Sequence, residues 1–199
     1  MISKYYPHIL ATLLMLFFIS LGIDPLNRAL WVVEGTPVML VFLLLVATFN
    51  RFRFSNISYT MMSAWMILHT IGGHYSFSNV PFDFITNLFD FQRNNFDRLA
   101  HFSVGLYAFS IAELLLRKKW ANAVISTAFG FSFIMSVAAI YEIIEWAYAV
   151  TYGGNIGISF LGAQGDIWDA QEDMLLDGFG AIFALILFWI IKPFRDKEA

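Results

Sequence analysis

Long runs of largely apolar residues recur along the chain and dominate what it can fold into. A helix that crosses the hydrocarbon layer of a bilayer needs about 20 such residues. Runs of this kind occupy positions 8–23 (HILATLLMLFFISLGI), 29–49, 57–75, 99–116, 121–150 and 173–191, each bounded by polar or turn residues. In hydrocarbon the backbone must satisfy its own N–H and C=O groups, which a helix does within one segment. The chain is therefore expected to be an all-α, polytopic membrane bundle of about six transmembrane helices, forming one integral membrane domain over residues 1–199. Composition agrees, with 59% hydrophobic and 14% charged residues. That is too little charge to cover a water-facing surface, and it excludes both disorder and a nucleic-acid-binding role. The absence of cysteine excludes a disulfide scaffold, a thiolate metal site and a cysteine nucleophile.

Cytoplasmic loops collect Lys and Arg. With six spans and both termini cytoplasmic, the inner face holds Lys4, Arg51, Arg53, Arg117, Lys118, Lys119, Lys192, Arg195 and Lys197, and the outer face holds Arg28, Arg93 and Arg98. The expected location is a bacterial inner membrane. The first run could also be read as a signal peptide with Lys4 as its basic region. Its exit, LGIDPLNR, carries no small-residue cleavage pattern, so a retained span is expected.

On this topology the intramembrane polar residues converge on the outer third of the bundle. Glu34 lies in the first turns of span two, His69 and His74 near the end of span three, and Asp97, Arg98 and His101 at the start of span four. Glu142 and Glu145 leave span five, while Asp166, Asp169 and Glu172 lead into span six, which opens with Asp173 and Asp177. An ionisable group at the bilayer centre costs about 2.5–3.5 kcal/mol on insertion scales, so such groups mark function or a specific pair.

Spacing sharpens the picture. Asp97 and His101 stand at i and i+4 and share a helix face, as do Glu142 and Glu145 at i and i+3. Asp166, Asp169, Asp173 and Asp177 form one acidic stripe if their helix begins near Asp166, which must face the bundle interior or water. His69 and His74 point apart on a regular helix, and Gly72-Gly73 between them would bring them together by breaking it. Each feature also has a plainer reading. Asp97 caps a helix and Arg98 snorkels; Asp166 and Asp169 are solvated loop residues; His69 is a satisfied core histidine; Glu113 pairs with the basic cluster at Arg117–Lys119. Glu142, Glu145, His101 and Asp177 resist such readings, because an unpaired carboxylate inside a span is expensive.

The blocks NNFDRLAHF (94–102), YEIIEWAYA (141–149) and GAQGDIWDAQEDMLLDGFGA (162–181) resemble a bacterial inner-membrane family typified by YjdF, over essentially the whole chain. More distantly their order is similar to that of VanZ-like membrane proteins. The residues carrying that likeness are Asp97, Arg98, His101 and Phe102, then Glu142 or Glu145, then Asp173, Asp177 and Gly178. The chain departs from the VanZ-like pattern in its extra Asp166, Asp169 and Gln171, and in Asp177 where Asn is common. The YjdF likeness implies an inner-membrane location and no particular reaction. The VanZ name implies a link to glycopeptide resistance, again without a mechanism.

Three functions fit these residues. The first is an enzyme at the outer leaflet, with His101, Asp97, Arg98, Glu142 and Glu145 as catalytic residues. His101, Glu142, Asp173, Asp177, His74 and Asp169 are its candidate metal ligands. Carboxylates outnumber imidazoles, so Mg²⁺, Mn²⁺ or Ca²⁺ fits better than zinc. A cation together with Arg98 or Arg93 would suit a phosphate-bearing lipid or a lipid-linked substrate. The second is a proton or cation transporter using the same acidic funnel, with Glu113 alone in the inner half. The third is a non-catalytic protein binding membrane lipid or a partner, with Phe82, Phe84, Phe89, Phe91 and Phe96 forming a re-entrant or interfacial segment or an aromatic belt.

Overall fold

The computed structural model describes residues 2–154 and 163–191. Lys192, Arg195 and Lys197, counted above toward the inner face, and Gly162 of the third block lie outside the described residues. Helix α1 spans Ile2–Leu21, α2 Arg28–Thr48 and α3 Asn56–Tyr75. A 3-10 turn at Phe77–Asn79 and the short α4, Asp83–Leu88, lead to α5, Phe96–Gly105, and α6, Tyr107–Arg117. Then come α7, Ala123–Tyr152, and α8, Asp169–Ile191. The protein is an all-helical polytopic bundle.

Among the described residues, five segments are long and apolar enough to cross a membrane: Lys4–Leu21, Arg28–Thr48, Phe96–Arg117, Ala123–Thr151 and Asp169–Ile191. The fourth predicted span is thus α5 and α6 together, interrupted at Leu106. The third, α3, has 20 residues, enough for about 30 Å of rise, but it is more polar than the others. Its position explains this. Helix α3 packs against α1, α2, α5 and α6, so protein rather than lipid surrounds much of it, and Ser58, Ser63, His69 and Thr70 are all buried.

Helix ends are set by local polar chemistry. Asn27 Oδ1 accepts the backbone N–H groups of Ala29 and Leu30 at the start of α2, Ser55 Oγ accepts that of Ser58 at the start of α3, and Asn122 Oδ1 that of Ile125 at the start of α7. The first cap lies at one end of the bundle and the other two at the opposite end. One end, here the basic end, carries Arg51, Arg53, Arg117, Lys118 and Lys119; the acidic end carries the starts of α2, α5 and α8.

The most intimate contact in the bundle is between α5 and α8. A Cβ placed on Gly180 would collide with the Phe102 carbonyl, and one on Gly105 with the backbone of Ala181 and Asp177. Gly130 of α7 similarly approaches Ala108, where a Cβ would lie 2.9 Å from the carbonyl oxygen. The core beside this crossing, Ala108, Ala112, Ala181 and Ala184 with Phe109 and Phe188, is almost fully buried. Small residues at the interface let backbones approach, which drives helix association where no water is present to be expelled.

At the basic end, Glu113 is fully buried and every neighbour is a donor. Its carboxylate accepts from Ser55 N at 2.8 Å, Ser55 Oγ at 2.8 Å and Arg117 at 2.6 Å, and from Ser58 Oγ. The expected i,i+4 pair with Arg117 is present, and it also pins the start of α3 to the end of α6.

Gly180→Leu is expected to abolish recovery of monodisperse protein, because the collision is with backbone. Gly178→Ala meets only the flexible Met135 sulfur, at 3.3 Å, and is expected to leave the melting temperature in detergent close to wild type. Glu113→Ala removes the buried acceptor shared by Ser55, Ser58 and the part-buried Arg117, and should cost about 1–3 kcal/mol in thermal or denaturant unfolding.

Candidate functional site

The α5–α8 crossing places His101 against the acidic stripe. His101 Nδ1 lies 3.1 Å from Asp177 Oδ2, which leaves Nε2 pointing at two further carboxylates, 3.8 Å from Asp97 Oδ1 and 3.9 Å from Asp173 Oδ2. One donor atom from each of Asp97, His101 and Asp173 falls within 4.8 Å of the other two, and all three residues are in the interior of the fold. Ligands held about 2.0–2.6 Å from a cation stand about 3–5 Å from one another, so the spacing fits a shared ion. A carboxylate on the far ring nitrogen is also what orients a metal-binding imidazole. Among the described residues, two buried oxygens at this end have no hydrogen-bond partner, Asp177 Oδ1 and Glu142 Oε1.

Arg98, the neighbour of Asp97, turns toward α8. Its guanidinium donates to Asp173 Oδ1 at 2.6 Å, the Asp169 carbonyl at 3.1 Å, Asp166 Oδ2 at 3.2 Å and Glu172 Oε2 at 2.6 Å. Both terminal nitrogens are thereby committed to α8 and the segment before it. Arg98 fixes the orientation of Asp173 from behind. Arg93 is arranged differently: NH1 donates to Asp169 Oδ1 at 2.7 Å, while Nε and NH2 are buried without partners among the described residues.

A second polar group adjoins the first. Glu34 Oε2 of α2 lies 3.2 Å from His69 Nε2 of α3, outside hydrogen-bonding geometry, and accepts from Tyr141 O–H of α7 at 3.3 Å. The Tyr141 ring stands between the two histidines, with centroids 6.4 Å from each. A cavity of about 170 Å³ connects these groups, and its lining includes His69, Asp97, His101, Tyr141, Glu145 and Asp177. Glu145 lines this cavity, and Glu142 lies within electrostatic range of His101, Asp173, Asp97 and Asp177.

Several expected placements change. The acidic helix begins at Asp169, not near Asp166, so Asp166 is off the helical stripe; its Oδ1 accepts from Trp168 N and its Oδ2 from Arg98. Asp169 serves Arg93 rather than the trio around His101. Gly72 and Gly73 do not break α3, which continues to Tyr75. They make room instead: a Cβ on Gly72 would strike the Phe77 ring, and one on Gly73 would lie 3.0 Å from Glu34 Cβ. His69 and His74 consequently diverge, and His74 Nδ1 meets the Leu21 carbonyl at 2.7 Å, tying the end of α3 to the end of α1.

The aromatic segment before α5 divides in two. Phe77 and Phe82 pack on the buried Phe96, with centroids 6.5 and 5.5 Å away, whereas Phe84, Phe89 and Phe91 are exposed. Two residues unnoticed in the sequence organise this end. Asn94 donates to the carbonyls of Ser78 and Val80 and accepts Phe96 N, while Gln164 brackets the Asn94 backbone with hydrogen bonds of 3.2 and 2.9 Å. Both lie in the sequence blocks quoted above, but nothing in a lone Asn or Gln announces a loop clamp.

An all-helical bundle with a buried carboxylate–histidine cluster defines a polytopic membrane protein. The chain belongs to the predicted membrane protein family DUF2238, whose profile matches residues 6–193. It is 35% identical over 179 residues to inner membrane protein YjdF of Escherichia coli (strain K12), covering 88% of this chain and 85% of that protein. The expected membership is thus met, and with it the inner-membrane, multi-pass location. The likeness to VanZ-like proteins finds no support in these comparisons. No solved structure matches.

Arg98→Ala should leave the buried Asp173 and the exposed Glu172 without their cation and Asp166 with Arg93 alone, lowering unfolding stability by about 3–5 kcal/mol, mostly through Asp173. Arg98→Lys should restore only part of this, since an ammonium cannot make the two-sided fork; melting curves of both variants in one detergent check it.

Proposed function

We propose that the cluster at the acidic end is a divalent-cation site serving a reaction on a phosphate-bearing lipid or lipid-linked substrate. One observation carries the reading. Asp97, His101 and Asp173 converge their donor atoms, while Asp177, itself almost fully buried, orients the imidazole and keeps its second oxygen unpartnered. The donor set of carboxylates and one imidazole favours Mg²⁺, Mn²⁺ or Ca²⁺. A cation held there would polarise a phosphate oxygen. Arg98 positions Asp173, Arg93 offers unpartnered guanidinium nitrogens to an anionic group, and Glu142 and Glu145 supply acid–base groups beside the cavity. By the bias of Lys and Arg the acidic end faces the outer side of the membrane.

The transporter reading is weaker. Between the cluster and the basic end the bundle interior is lined almost wholly by apolar side chains, and Glu113 is locked by Ser55, Ser58 and Arg117. A route for protons or cations would need polar groups at intervals along it.

Elemental analysis of detergent-purified protein tests the proposal. A stoichiometric divalent metal is expected in the wild type and absent in His101→Ala and Asp173→Asn. Asp177→Asn should bind it about 10–100-fold more weakly, since it disturbs only the orientation of the ligand. A metal-free wild type dialysed against each of the three cations in turn would overturn the site.

A further inference from the structure

A second cavity, much larger than the polar one, occupies the half of the bundle toward the basic end. It measures about 540 Å³ and is bounded by α2, α3, α6 and α7. On α2 it is lined by Val41, Leu44, Leu45 and Thr48, the i, i+3, i+4, i+7 face; on α7 by Phe133, Ile134 and Val137. Val41, Trp65, Val104 and Val137 line both this cavity and the polar one, so the two adjoin at these side chains. The walls carry the arrangement further. Helix α2 packs on α3, and α7 packs on α6 and α8, but α2 and α7 are not packed against each other. They are joined by the hydrogen bond from Tyr141 to Glu34, beside the cluster.

Walls this apolar offer water few hydrogen-bond partners, and a space left empty forfeits the dispersion contacts that a packed interior needs. Within a bilayer the material at hand to fill it is hydrocarbon. Along α5 and α6 the lining of the two cavities runs from Asp97 to Lys118, about 31 Å at 1.5 Å per residue, so together they extend across most of the ~30 Å hydrocarbon thickness. One end holds the carboxylate–histidine cluster, and the other ends at Arg51 and Lys118.

We propose that this groove holds one hydrocarbon chain of a membrane lipid, entering between α2 and α7, with the lipid's phosphate head at the acidic cluster and the chain end toward Arg51 and Lys118. The placement of the head rests on the reading of the cluster as a cation site; occupation of the groove does not. The groove then selects substrates by their tail, and the cluster acts on their head.

The test uses the full-length protein in nanodiscs containing phosphatidylglycerol with a diazirine on one acyl chain, placed either near the head or at the chain terminus. After irradiation, peptide mass spectrometry locates the label. The near-head probe is expected on Val41, Trp65 or Val137, and the terminal probe on Thr48, Phe52 or Leu114. Label confined to outward residues such as Leu40, Leu43, Ile140 and Ile143, which are more than half exposed, would overturn the groove. The reverse order of the two probes would overturn the head placement, leaving the phosphate on Arg51 and Lys118. Val41→Trp and Val137→Trp, which fill the groove, should each reduce interior labelling about tenfold, with divalent metal content unchanged. Loss of metal in Asp173→Asn with interior labelling retained supports the groove as independent of the ion. A wild type that labels the groove but binds no metal would remove the cation site while the groove stood.

Discussion

The close crossing of α5 over α8 is the contact on which the rest of the acidic end depends. Because Gly105 and Gly180 have no Cβ, the two backbones come together within a distance that any side chain would block. His101 and Asp177 lie beside that crossing and so meet at 3.1 Å, and the Asp97 and Asp173 carboxylates follow from the helical repeat. Side-chain placement here is a consequence of how near two backbones are allowed to approach. A wider crossing would separate the imidazole from the carboxylates and leave each alone in a low-dielectric interior.

Electrostatics then divides the cluster into parts with different duties. Arg98 is surrounded by Asp166, Asp169, Glu172 and Asp173, and its guanidinium fork binds the start of α8 to the start of α5. That arrangement neutralises carboxylates that would otherwise repel. The trio of Asp97, His101 and Asp173 lies just inside it, with Asp177 Oδ1 and Glu142 Oε1 unsatisfied. The contrast with Glu113 is instructive. That carboxylate is equally buried, yet donors surround it and it does structural work; the cluster at the acidic end keeps unsatisfied oxygens beside a cavity.

Much of the architecture was legible in the residues. Long apolar runs have little choice but to form helices in hydrocarbon. The i,i+4 relation of Asp97 to His101 and of Glu113 to Arg117 is a property of the helix itself, so it could be read before any tertiary contact was known. Of the six predicted spans, α3 alone is not apolar enough to count among the membrane-crossing segments of the described residues, and its polarity goes with its central place in the bundle.

What the linear chain determined was therefore local and one-dimensional: which segments are helical, which residues share a face, and at which end the charges gather. Tertiary structure decided the rest. It sent His74 to the Leu21 carbonyl instead of the cluster, turned Arg98 away from the cavity onto α8, brought Glu34 and Tyr141 from two distant helices to His69, and left α2 and α7 apart along an apolar groove. The physical reason is common to all four. Helical periodicity sets the angle at which a side chain leaves its own axis, but only the packing of axes sets what stands opposite it.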